Sequence, residues 1–76
     1  MFDRISVKQN VCHGKPVIKG TRVLVANILG SLATGESFNE IISDYPNITK
    51  EDIQEALSFG SYLSNFENLE YKTAVG

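Results

Sequence analysis

The sequence predicts a mainly α fold, with short N-terminal β-strands followed by a three-helix, helix-turn-helix-like (homeodomain-like) body. Three observations predict it. Apolar residues sit in short β-branched runs near the start and take helical spacing from Val25 onward. Two later segments open on capping signatures, Ser37-x-x-Glu40 and Thr49-x-x-Asp52. Between those two segments, Pro46 disfavours helical geometry at Tyr45 and stops the first of them.

Taken in order, Ile5-Ser6-Val7 alternates apolar and polar like a half-buried strand. Lys8-Gln9-Asn10 is polar and turn-prone. Gly14 and Gly20 suit turns because glycine takes positive φ without steric penalty. Pro16 pushes Lys15 towards extended geometry, and Val17-Ile18 reads as a very short strand. An isolated hairpin is marginal in water, so these strands are expected to lie on the helices or to pair with a second copy.

Val25, Ile28, Leu29 and Leu32 follow the i, i+3, i+4, i+7 spacing of one helix face. Gly35 stands where a C-terminal glycine ends a helix, near Thr34. Gly30 inside that helix is unfavourable by about 1 kcal/mol relative to alanine and suggests a close backbone contact. Phe38, Ile41 and Ile42 form the buried side of the second helix. In the third, Ile53, Ala56, Leu57, Gly60 and Leu63 make the inner stripe, with Phe59 and Tyr62 in it or at its edge. Glu51 and Asp52 in its first turn favour the positive end of the helix dipole.

The 76 residues make one small domain. Residues 1–66 are expected to form it, and 67–76 to be a flexible C-terminal tail. A chain this short buries only about 60% of its unfolded surface, so a homodimer would help its thin core. No signal-peptide pattern or membrane-length apolar run is seen, and the lone Cys12 suits a reducing compartment, so a soluble cytoplasmic protein is expected.

Charge is divided along the chain. Residues 1–22 carry five cations against Asp3, a balance of +4. The remainder carries two cations against eight acids, a balance of −6. Such asymmetry marks a basic arm for nucleic acid or an acidic partner, set against the plainer reading of a solvated surface. Lys8, Lys15 and Lys19, with Arg22, are the candidate nucleic-acid contacts. For Arg22 a structural reading is favoured, an ion pair with Asp44 joining the strand region to the helices.

No catalytic site, metal or cofactor is expected. Cys12 and His13 are adjacent in an extended stretch and do not converge on one ion, and no further Cys or His completes a zinc set. The glycine segment is no phosphate loop, because Gly20 is followed by Thr21 and Arg22 rather than Lys-Ser/Thr. A short helix, a tight turn and a longer helix make a helix-turn-helix-like pair. The outward positions of the third helix (Glu51, Gln54, Glu55, Ser58, Ser61) hold Lys50 as their one cation neighbour, which speaks against a DNA-reading role.

Three strings resemble one family closely. They are Gly14-Lys15-Pro16-Val17-Ile18-x-Gly20-Thr21-Arg22-Val23, then Gly35-x-Ser37, then Asp44-Tyr45-Pro46-Asn47-Ile48-Thr49-x-Glu51-Asp52-Ile53. From about Ile5 to Leu63 the chain resembles the bacterial "domain of unknown function 433" family. The resemblance implies an N-terminal strand region on a helix-turn-helix-like body, and a cytoplasmic, antitoxin-like protein whose partner is a small PIN-like nuclease. Many members carry a second glycine where this chain has His13, which implies a less permissive turn here. Members also tend to carry alanines where this chain has Ser58-Phe59-Gly60-Ser61-Tyr62.

With the charge division, the resemblance leads to an antitoxin-like protein expected to bind a PIN-like nuclease and, as a second contact, operator DNA. Glu51, Glu55 and Tyr62 are its candidate partner-binding residues. Its acidic helices or C-terminal segment would occupy the nuclease, while the basic N-terminal stretch dimerises, contacts DNA, or both. The alternatives are a dimeric adaptor without DNA contact and a helix-turn-helix transcriptional regulator.

Overall fold

The computed structural model describes residues 2–65. Two short strands, β1 (Ile5–Ser6) and β2 (Val17–Ile18), precede three helices: α1 (Val25–Ala33), α2 (Phe38–Asp44) and α3 (Lys50–Ser64). The proposed tail, 67–76, lies outside the described residues.

β1 and β2 pair antiparallel, Ile5 with Ile18 and Ser6 with Val17. On its far side β2 bridges to Leu24 through Val17. The hairpin therefore closes on its own chain and lies on the helices, the first of the two arrangements expected. Thr21 locks the turn that follows. Its hydroxyl donates to the carbonyl of Ile18 and accepts the N–H of Val23.

Both capping boxes form. Ser37 accepts from the backbone N–H of Glu40, whose carboxylate accepts from the N–H of Ser37. Thr49 and Asp52 do the same at the start of α3. Each satisfies two helix-terminal donors that no intrahelical partner can reach. At the end of α1, Gly35 has φ +96°. Its N–H bonds the carbonyl of Leu32, and the N–H of Glu36 reaches back to Ser31. This reversed, left-handed ending requires glycine at its centre and turns the chain sharply into α2.

The core lies where the three helices meet the hairpin. Ile28, Ile41, Ile53 and Ala56 are fully buried, joined by Ile18, Val23, Val25 and Ile48. Burying each branched side chain stabilises by about 1.5–3 kcal/mol, the main force holding α1 and α2 on α3. Leu29, Leu32, Phe38 and Ile42 pack at its margin.

The inner stripe of α3 differs from expectation. Leu57 and Leu63 are 43% and 45% exposed, while Phe59 packs against the core. The cause is the segment before β1. Phe2 sets its ring edge-on against Phe59 and Tyr62, at centroid separations of 5.2 and 5.5 Å. This cover draws the sheltered face of α3 towards Asp52, Glu55 and Phe59 and leaves Leu57 outside it.

Gly30 also departs from expectation. Among the described residues, nothing beyond its own stretch of helix lies within 4 Å of where its Cβ would stand. The close approach belongs to Gly60, where an added Cβ would meet Leu29 Cδ1 at 3.2 Å.

Candidate partner and nucleic-acid interface

The segment before β1 is tied to α3 by its second and fourth residues. Residues 52, 55, 59 and 62 recur at helical spacing and share one face. Arg4 meets the first two of them and Phe2 the last two. Residues 2–4 thus run antiparallel to α3, as a strap along that face. The Arg4 guanidinium donates to Asp52 Oδ1 at 3.2 Å, and the Arg4 backbone N–H donates to the Glu55 carboxylate.

This strap changes the partner-site expectation. Glu51 is exposed in the first turn of α3, free to face solvent as predicted. Glu55 is half-buried and already accepts a hydrogen bond from the strap. Tyr62 is 44% exposed, with one ring edge against Phe2. Of the two outward carboxylates assigned to α3, one therefore faces the chain itself. That leaves Glu51 beside Lys50 on the outer face, and their opposite charges largely cancel. The electrostatic objection to nucleic acid at α3 is correspondingly smaller.

The four basic candidates are all exposed. Lys8 lies in the loop after β1, Lys15 and Lys19 flank β2, and Arg22 follows the Thr21 turn. Among the described residues none of the four makes an ion pair. Arg22 is not joined to Asp44, which corrects the expected tie between strand region and helices. Arg22 contributes its carbonyl instead, facing the Cys12 thiol at 3.8 Å. The arginine that makes the tie is Arg4, and its acid is Asp52. A missed signal was available: Asp52 occupies a capping position and also sits beside apolar stripe positions, where a carboxylate needs a second donor.

Between Lys8 and Lys15 the backbone is unusual. Cys12, His13 and Gly14 have φ of +49°, +58° and +82° in succession. Hydrogen bonds from Gly14 N–H to Val11 and from Lys15 N–H to Cys12 close this left-handed turn. Such geometry costs roughly 1–2 kcal/mol for each non-glycine residue, so the turn that presents Lys15 is strained.

A shallow depression of about 470 Å³ opens on the outer face of α1, floored by Ala26, Gly30 and Ser31 and bounded by Thr34, Glu36 and Tyr45. A second, of about 300 Å³, adjoins it between Glu36, Glu40, Ser43 and Asp44.

Together these features define a small mainly α domain, its N-terminal hairpin strapped to the last helix and four exposed cations set between β1 and α1. The family model described as "Protein of unknown function (DUF433)" matches residues 5–60, and the chain belongs to that family. It is similar to a solved structure, the crystal structure of a DUF433 member protein from Anabaena variabilis ATCC 29413 at 2.00 Å resolution. The two are 29% identical, with a TM-score of 0.68, over 82% of this chain and 59% of that one. This chain thus spans well under two thirds of that protein's length. No curated protein matches it. No helix among the described residues is long and apolar enough to cross a membrane.

Proposed function

We propose that the chain is a non-enzymatic, antitoxin-like protein of the cytoplasm that binds and restrains a small PIN-like nuclease, with its basic N-terminal segment contacting operator DNA. The observation that carries this reading is the separation of exposed charge. Lys8, Lys15, Lys19 and Arg22 are exposed and without ion-pair partners among the described residues, while the acids stand on the helical body. Glu51 offers a free carboxylate to a metal-dependent nuclease. Glu55, on α3, is engaged by the strap at its inner side, and Tyr62 is part-exposed beside it. The helix-turn-helix pair α2 and α3 supplies the scaffold.

The test is a tagged pull-down from the native host with mass spectrometry, followed by a nuclease assay on whatever is recovered. A small nuclease in stoichiometric yield, silenced by the protein, supports the reading. Recovery of the protein alone sinks it. Binding of upstream DNA that weakens steeply with salt supports the operator contact, through counterion release.

A second reading, a protein-interaction adaptor without DNA contact, is favoured by the apolar surface at the end of α3, where Leu57, Tyr62 and Leu63 are exposed. Salt-independent capture of a non-nuclease partner would select it.

A further inference from the structure

Three adverse features converge at the end of α1. Gly30 sits in mid-helix, exposed, with no neighbour that a side chain would strike. Among the described residues nothing packs on that glycine to offset its helix-destabilising effect. One carboxylate oxygen of Glu36, Oε1, is buried and accepts no hydrogen bond. An unsatisfied buried acceptor is costly. The backbone N–H of Glu36 is pinned to Ser31, which holds this acid over the last turn of α1. There the helix presents its negative end, with no basic residue in that turn.

One kind of ligand suits this end of the helix. A cationic head on an aliphatic stem would lay its stem in the trough over Ala26 and Gly30 and set its charge beside the Glu36 carboxylate. Its charge would also compensate the helix end. The adjoining acids Glu40 and Asp44 extend the favourable field.

We propose that this trough is a slot for a lysine or arginine of a second copy of the same chain, supplied by the exposed basic segment around Lys15 and Lys19. Charge complementarity argues for the occupant. Residues 1–22 carry +4, and apart from Arg4, which is paired with Asp52, their cations have no ion-pair partner among the described residues, whereas α2 and α3 carry five acids against Lys50. In a two-fold dimer each basic segment meets the other protomer's slot, so the contact is made twice and the assembly closes. The inference does not rest on the nuclease reading. It draws on the cations an operator contact would use, so dimer and duplex compete for them.

The test is sedimentation equilibrium of the whole chain at low salt and at about 0.5 M salt, where exposed charges are screened. Self-association is expected at low salt and weaker association at high salt. Glu36→Gln should weaken it by about tenfold while leaving the thermal midpoint unchanged or higher. The charge-reversed Glu36→Lys and the double variant Lys15→Glu/Lys19→Glu should each be monomeric alone and associate when mixed, because both contacts are then complementary again. A wild-type chain that stays monomeric at every concentration in low salt overturns the proposal. So does a dimer indifferent to Glu36→Gln, or a mixture that fails to associate although both variants melt cooperatively.

Discussion

The guanidinium of Arg4 and the carboxylate of Asp52 meet at 3.2 Å, and the second oxygen of that carboxylate holds the N–H of Thr49 at 2.8 Å. One side chain thus caps α3 and anchors the strap. Asp52 is 10% exposed at its side chain and Arg4 46%, so the pair is partly screened. Asp52→Ala should destabilise by about 2 kcal/mol, the cap and the pair together. Arg4→Ala should cost about 1 kcal/mol or less. A double-mutant cycle in urea should return a coupling below about 1 kcal/mol. A zero coupling would mean that the strap is held by Phe2 and by the Arg4 backbone N–H on Glu55, without the ion pair.

Glu51 and Glu55 are neighbours on the same helix with different employment. Glu55→Ala removes the acceptor of the Arg4 N–H and should lower stability by about 1–2 kcal/mol. Glu51→Ala, at an exposed first-turn position, should lower it by about 0.3–1 kcal/mol. Equal losses in chemical denaturation would contradict the inward role of Glu55.

His13 holds a left-handed conformation that glycine adopts freely. His13→Gly should raise stability by about 1 kcal/mol, the relief of strain exceeding the added chain entropy of the unfolded state. A higher thermal midpoint with an unchanged circular dichroism spectrum is the expected result. A lower midpoint would show that the His13 side chain makes compensating contacts.

The two helical glycines should respond differently to alanine. At Gly30 the added Cβ meets open space, and Gly30→Ala should gain about 1 kcal/mol. At Gly60 the Leu29 methyl stands 3.2 Å from the new atom and must give way. Gly60→Ala should therefore gain less than Gly30→Ala, or lose. Paired thermal melts decide it, and the reverse order would overturn the packing described for α1 against α3.

The parts of this fold that are local in sequence were legible in it. Ser37 with Glu40, Thr49 with Asp52, and Gly35 each act within a few residues, and each forms as expected. The helical spacing of Val25, Ile28 and Ile41 likewise placed the core. The strap was not legible, because an arginine and an acid 48 residues apart carry no joint local signal. Arg22 was the more conspicuous cation beside a turn, and Arg4 took the structural role. For the same reason Glu55 was read as outward: helical spacing alone cannot reveal that another segment covers a face. The charge division was visible from composition, whereas the unsatisfied oxygen of Glu36 depends on a three-dimensional fit over α1.

The strap also sets an order of events during synthesis. Its contacts join residues 48 and 51 positions apart, whereas the capping boxes close over three. Phe2 and Arg4 leave the ribosome well before the α3 residues they grip exist. Until that helix emerges, the hairpin is a marginal unit with its aromatic ring uncovered, and the strap has nothing to dock on. A translational pause before α3 would therefore prolong the interval in which the nascent chain is vulnerable to proteolysis and to non-native pairing.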